Sequence, residues 1–255
     1  MALVFITGSS DGLGRAAGEA LISQGHQVVL HARSAERASS LRELAPRAAD
    51  IVLGDLRGAD GVRRIADQVN AIGRMDAVIH NAGVYRERTR NPTPEGHATV
   101  LAVNTLAPYI LTALIRRPQR LIYLSSSLHQ GGEGSLADLD WLKRPWNAGQ
   151  AYAESKLHVA ALAAALAGRW PDVVSHAVDP GWVRTRMGGA AAPVDLHTGQ
   201  RTQSWLATSD DPAALVSGGY WRDQRREQPA HEVVDPAFQN ELLRQLQGLT
   251  GVVLP

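Results

Sequence analysis

The chain has no cysteine, which excludes disulfide scaffolds, zinc–thiolate sites, iron–sulfur clusters and cysteine nucleophiles. It has almost no lysine: of 26 basic residues only Lys143 and Lys156 are not arginine. It also lacks an excess of either charge, since 25 acidic residues offset the basic ones and leave a formal net charge of +1. Without surplus positive charge to neutralise phosphates, a general nucleic-acid binder is excluded. No hydrophobic run is long enough for a membrane span, because the longest, Val100 to Ile115, is interrupted by Asn104 and Pro108. The start, Met1-Ala2-Leu3-Val4-Phe5-Ile6-Thr7, carries no basic leader and reads as a strand rather than a signal peptide. These absences lead us to expect a cytoplasmic protein with no membrane partner.

What is present is a globular composition. The 255 residues are 44% hydrophobic and 20% charged, which argues against disorder and allows one large α/β domain or two small ones. Short aliphatic runs occur at Leu3–Ile6, Gln27–His31, Ile51–Leu53, Ala77–His80, Arg120–Leu124 and Val173–Val178. Between them lie helix-like segments at Gly14–Ser23, Ala35–Leu44, Gly61–Ala71, Glu95–Ile115 and Gln150–Trp170. Strands that are apolar throughout, alternating with helices, predict an α/β fold: a Rossmann-like, doubly wound parallel sheet with helices on both faces. After Gly188 the rhythm lapses and resumes weakly, with a helix at Gln200–Ala207, a strand at Gly219–Trp221 and a helix at Pro236–Leu246. We expect a single domain over 1–255, with a variable C-terminal region from 188.

Thr7-Gly8-Ser9-Ser10-Asp11-Gly12-Leu13-Gly14 follows the first strand and opens the first helix. Glycines there let the backbone approach a pyrophosphate, and the helix N-terminus offers unpaired N–H groups with partial positive charge. Gly8, Ser10, Asp11, Gly12, Leu13 and Gly14 are therefore candidate cofactor-binding residues, the alternative being a glycine-rich turn without a ligand. The second strand ends in His31-Ala32-Arg33-Ser34, where a carboxylate would grip the ribose hydroxyl of NAD. The acid is missing and Arg33 stands beside the vacancy, so NADP(H) is preferred and NAD(H) is the alternative; a solvated surface arginine would look the same. Asp55-Leu56 and Asn81-Ala82-Gly83 end the third and fourth strands, where ligands bind in this architecture.

Tyr152-Ala153-Glu154-Ser155-Lys156 places a phenol and an ammonium one helical turn apart. Together with the glycine turn, Asn81-Ala82-Gly83, Asn104, Ser125-Ser126 and Pro180-Gly181, it closely resembles the classical short-chain dehydrogenase/reductase family, from residue 1 to about residue 190. The resemblance implies that Tyr152 exchanges a proton with the substrate oxygen, that Lys156 bonds the nicotinamide ribose and favours the phenolate, and that Ser126 holds the substrate carbonyl. Ser127 follows directly and is the alternative for that serine. Asn104 would hold the water of a proton relay, while Pro180, Gly181, Val183 and Thr185 would meet the nicotinamide end. A free phenol titrates near pH 10, so such help is chemically needed at neutral pH.

Further expectations follow. Asp11 sits where some NADP-using members carry a basic residue, and would repel a 2′-phosphate somewhat. The 25 residues between Ser126 and Tyr152 resemble the insertion of the retinol-dehydrogenase-like subset; they predict a substrate loop near 127–150 with Trp141 and Trp146 lining the site. His129 is a candidate substrate contact, with an ordinary loop histidine as the alternative. The histidines show no metal-ligand pattern, so no metal is expected. The implied partners are a small carbonyl or alcohol substrate and, through Glu95–Ile115 and the alanine-rich Ala151–Ala167, a homodimer or homotetramer. A dinucleotide-binding sensor without turnover, or a sugar-nucleotide epimerase or dehydratase, are the other readings.

Overall fold

Aliphatic side chains that alternate between two faces build the sheet. The computed structural model describes residues 1–85 and 87–255. Its elements begin with β1 (Leu3–Ile6), α1 (Gly12–Ser23), β2 (Gln27–Ala32), α2 (Ala35–Ala38), β3 (Asp50–Leu53), α3 (Ala59–Ile72) and β4 (Ala77–His80). They continue with α4 (Thr99–Leu101), α5 (Ala107–Leu114), β5 (Arg120–Leu124), α6 (Ala148–Arg169), β6 (Val174–Val178) and α7 (Leu196–Thr208). The chain ends with α8 (Pro212–Leu215), β7 (Gly219–Arg222), β8 (Arg225–Glu227), α9 (His231–Val234) and α10 (Pro236–Thr250). Within β1, Val4 and Ile6 point into one hydrophobic layer and Phe5 into the other, the two-residue period of a strand covered on both faces.

The strand order is β3-β2-β1-β4-β5-β6-β7-β8. All neighbours pair in parallel except β7 and β8. The chain winds outward from β1 to β3 and then returns to lay β4 against β1, which makes the carboxyl ends of β1 and β4 the switch point where a crevice opens. This is the Rossmann-like arrangement expected from the sequence rhythm.

Three local departures have physical causes. The helix expected over 35–44 stops at Ala38 and gives way to 3-10 turns, because Ser39 and Ser40 hydroxyls donate to the carbonyls of Glu36 and Arg37 and compete with the helical ladder. The helix expected from Glu95 starts at Thr99, and it winds a π turn over Ala102–Leu106. Pro108 has no N–H to give the carbonyl of Asn104 four residues earlier, so the ladder must shift register there. Finally, β8 was not expected. Asp223 and Gln224 both adopt positive φ, 48° and 58°, which makes a two-residue hairpin of the primed type, and the exposed Arg225, Arg226 and Glu227 protect the sheet edge.

The C-terminal region decides what α6 meets. Helices α9 and α10 pack on α6, and α6 is buried from Ala151 through Ala163. The Tyr109 hydroxyl on α5 donates to the carbonyl of Val252 at 2.8 Å, and the Trp170 indole donates to that of Pro255 at 3.0 Å. The alanine-rich surface expected to meet another subunit is thus covered by the chain's own C-terminus. Among the described residues no helix is long and apolar enough to cross a membrane. Tyr109→Phe deletes one buried hydrogen bond and should cost about 1–2 kcal/mol, a fall of roughly 2–8 °C in Tm for a chain of this size. An unchanged melting curve in calorimetry would show that the tail docks without it.

Candidate active site

The nucleotide end is assembled from three strand ends. Gly8, with φ of 65°, gives its N–H to Nδ1 of His31 at 2.9 Å, and Nε2 of the same ring donates to the carbonyl of Gly54 at 2.8 Å. The ring therefore sits as its neutral Nε2–H tautomer, which burial favours by lowering its pKa. His31 ties the ends of β1, β2 and β3 together. Sequence reasoning passed over it, although a polar residue in the run Val28-Val29-Leu30-His31 was the available signal.

Gly14 is required by close approach. A Cβ there would stand 2.4 Å from Nδ2 of Asn81 and 2.6 Å from the carbonyl oxygen of Gly8. Asn81 in turn donates to the carbonyl of Thr7 at 2.9 Å, and the Ala82 N–H donates to the Thr7 hydroxyl at 3.0 Å. Asn81 and Ala82 thus hold the glycine turn in shape. Asp11 caps α1 through the Gly12 N–H at 2.8 Å. Its other oxygen lies 3.3 Å from both Arg37 and Arg186, so its charge is already opposed rather than free to repel a phosphate. Arg33 and Arg37 both line the cleft. Asp55 accepts from the Arg57 backbone at 3.0 Å and pairs with its guanidinium at 2.8 Å. Burial alone would raise the Asp55 carboxyl, but Arg57 and the nearby charge of Arg33 hold it below the usual range. Arg37, Arg57 and Arg186 were not anticipated; their sequence neighbourhood says nothing of where their guanidinium groups converge.

The same cleft, about 710 Å³, continues to the opposite end and reaches Ser126, Tyr152 and Lys156. Burial drives the Tyr152 phenol up to about 12, against a hydrogen bond from Ser126 that lowers it. Burial also brings Lys156 down to about 8, with the charge of Asp179 acting the other way. The ammonium donates to the carbonyl of Leu124 at 2.7 Å and lies 5.6 Å from the centre of the Tyr152 ring. Asp179, missed in the sequence, is buried at the end of β6. It accepts from the Gly181 N–H at 2.9 Å and has Arg222 at 3.6 Å.

The structure distinguishes the three serines. Ser125 is buried and donates to the carbonyl of Lys156 at 2.9 Å. Ser126 faces the phenol, and Ser127 is exposed at the cleft wall. Asn104 has its side chain fully engaged: its oxygen accepts from Val84 N–H at 2.8 Å, and its amide donates to the Val84 carbonyl at 3.0 Å and the Ser155 hydroxyl at 2.9 Å. Gly12, Leu13, Leu56, Gly83, Pro180, Gly181, Val183 and Thr185 all line the cleft, as do Gly8, Ser10 and Ala82.

Two expectations are corrected. His129 is no substrate contact. It is buried, its Nδ1 donates to the Ser126 carbonyl at 2.7 Å, and its Nε2 accepts from the Ala230 N–H at 3.0 Å, so both nitrogens are spent. Trp141 and Trp146 do not line the cleft either. They meet edge to face at 5.6 Å and pack beside Val100 and Ala151. Arg144 lies over the Trp141 ring and pairs with the buried Glu154. This cation–π stack and ion pair draw the loop to the other side of α6, leaving Ser127 and Leu128 as its contribution to the cleft. Residues that do line it without having been anticipated are Tyr85, Trp182 and Met187. Among the described residues no group of His, Asp and Glu is placed to hold a metal ion.

Comparison with known proteins finds matches over the length of the chain. Residues 2–194 match the family described as short chain dehydrogenase. An uncharacterized oxidoreductase of Emericella nidulans is 41% identical over 100% of this chain and 99% of its own length. Human retinol dehydrogenase 13 is 27% identical, covering 99% of this chain and 85% of that protein. Among solved structures, an uncharacterized protein of Mycobacterium paratuberculosis superposes with a TM-score of 0.83 at 25% identity, over 100% of this chain and 95% of that one. A short chain dehydrogenase of Burkholderia cenocepacia in complex with NADP has a TM-score of 0.69 at 21% identity, over 86% and 94% of the two chains.

The crowding around Gly14 has a measurable consequence. Gly14→Ala should push Asn81 off Thr7, weaken dinucleotide binding at least roughly tenfold, a loss of about 1.4 kcal/mol, and leave the far-ultraviolet circular dichroism unchanged. Wild-type affinity in a fluorescence titration would show that the turn can relax around a methyl group.

Proposed function

This chain belongs to the short-chain dehydrogenase family and is a dehydrogenase/reductase enzyme, and from that premise we propose that it is an NADP(H)-dependent enzyme acting on small carbonyl or alcohol substrates. The observation that carries the reading is the Tyr152 phenol, kept protonated by burial, with the Lys156 ammonium 5.6 Å from its ring. Both stand in the same cleft as an arginine-flanked glycine turn. A protonated group suits the donation of a proton to a carbonyl oxygen that is gaining charge.

The residues fit a dinucleotide. The turn from Gly8 to Gly14, which no Cβ could enter at Gly14, would receive the pyrophosphate at the start of α1. Arg33 and Arg37 would take the 2′-phosphate, and Val183 and Thr185 the carboxamide. When bound, the nicotinamide would supply a hydride to the substrate carbon on reduction, or accept one on oxidation. On reduction Tyr152 would give its proton to the substrate oxygen, leaving a phenolate; on oxidation the phenolate would take that proton back. Ser126 holds that oxygen in place. Lys156, still largely protonated at neutral pH with its pKa at about 8, offsets the phenolate charge. Asn104 positions rather than reacts, clamping the Val84 segment to α6 through Ser155.

Tyr152→Phe removes one oxygen, so NADPH binding should persist while kcat for any accepted carbonyl falls by about 10²–10⁴-fold. Near wild-type turnover would show that another group gives the proton. The cofactor assignment is checked separately. Arg33→Ala and Arg37→Ala should each weaken NADPH by roughly 10- to 150-fold, the value of a charge-assisted bond, and leave NADH affinity unchanged. Equal dissociation constants for the two cofactors in the unmodified protein would remove the basis for it.

A further inference from the structure

The lining of the cleft is of two kinds. Arg33, Arg37 and Arg57 border it on one side. Three exposed apolar side chains line its mouth: Leu128 is 49% exposed, Trp182 54% and Met187 41%. They come from two segments distant in sequence, the turn after β5 and the loop after β6, and all three line the cleft. Solvent-facing apolar surface gathered at one mouth, with polar residues around it, is the mark of a binding surface.

The loop after β6 is built to present that surface. The Trp182 indole N–H is spent on the carbonyl of Gly188 at 2.8 Å, so the ring is fixed and offers a ligand only carbon. Gly188 makes this bond possible by close approach, since a Cβ there would lie 2.0 Å from the carbonyl oxygen of Val183. The arginines of the loop are engaged: Arg184 donates to the carbonyl of Ala192 at 3.2 Å, and Arg186 reaches back to Asp11 at 3.3 Å. Beside the reacting hydroxyl, the Tyr85 ring lies 4.4 Å from that of Tyr152. Among the described residues of this loop, neither an unpaired cation for a carboxylate nor a donor from the indole is offered to the ligand.

We propose that this mouth selects neutral carbonyl compounds in which the carbonyl is attached directly to a flat apolar ring system, with Trp182 as the specificity-determining platform. The ring lies on the indole between Leu128 and Met187, and its carbonyl reaches Ser126 and Tyr152. This rests on the reading of the cleft as carbonyl-reducing. The platform is remote from the reacting atoms, so it contributes equally before and during the chemical step and acts mainly through KM.

The test compares 2-acetylnaphthalene, 2-butanone and benzoylformate as substrates of the NADPH-loaded protein. The unmodified protein should prefer 2-acetylnaphthalene over both the small aliphatic ketone and the charged aryl keto acid. Trp182→Ala should reduce the kcat/KM ratio of 2-acetylnaphthalene to 2-butanone by about 10- to 100-fold, as for loss of an aromatic anchor, mainly through KM. Trp182→Phe should recover most of that ratio. An unchanged ratio in Trp182→Ala, or a preference for benzoylformate, would overturn the proposal. Calorimetric titration of the NADPH-loaded protein with 2-acetylnaphthalene separates the two readings. Binding that Trp182→Ala weakens, without turnover of any ketone, would keep the aryl site and refute the reductase. No binding would refute the aryl site, whatever else is reduced.

Discussion

Lys156 carries its ammonium on a helix that the sheet, the turn after β5 and the C-terminal helices bury on nearly every side. A charged group removed from water must find compensation or lose its proton. Here the compensation is modest: the carbonyl of Leu124, and the charge of the buried Asp179 carboxylate. The result is an ammonium that titrates near 8 and a phenol on the same face that resists ionisation. Both shifts come from the same burial. The alanines of α6 permit it, because small side chains let strands and neighbouring helices approach the helix on all sides.

The same constraint organises the surroundings. Asp179 is held by the Gly181 turn and faced by Arg222, so the end of β6 supplies both the counter-charge of Lys156 and the start of the loop that carries Trp182. His129 braces the other side, joining the Ser126 carbonyl to Ala230 before α9. Ser126 is therefore positioned by a histidine that itself touches no substrate space, and the C-terminal region takes part in shaping the site as well as in covering α6. At the nucleotide end, His31 performs a comparable task for the glycine turn. Neutral, buried imidazoles thus act as two-sided hydrogen-bond braces at both ends of the cleft.

How much of this is legible without coordinates depends on how far apart the interacting residues lie in the chain. The strands at Leu3–Ile6, Ala77–His80 and Arg120–Leu124 are read directly, since burial on both faces requires aliphatic runs. Hairpin β7–β8 escapes because Asp223-Gln224 lacks the glycine that usually announces such a turn. The shift of the 99–114 helix into a π turn has a local cause at Pro108, yet its consequence for Asn104 needs three-dimensional partners, Val84 and Ser155. Trp141 and Trp146 lie in the expected loop, but the buried pairing of Arg144 with Glu154 carries that loop to the opposite side of α6.

The sequence by itself determined the strands β1 to β7, the glycine turn after β1, and the Tyr152–Lys156 pair. Each rests on periodicity or spacing within a few residues, where backbone geometry alone brings the groups together. Only the tertiary structure decided that Asp11 is paired with Arg37 and Arg186, that Asp179 stands behind Lys156, that His129 is a brace, and that α6 is covered by the chain's own C-terminus. Those are contacts between segments tens of residues apart. Which of many arginines or histidines meets which carboxylate or carbonyl is settled by the packing of whole elements, because desolvation makes each buried polar group take the partner that the fold places within reach.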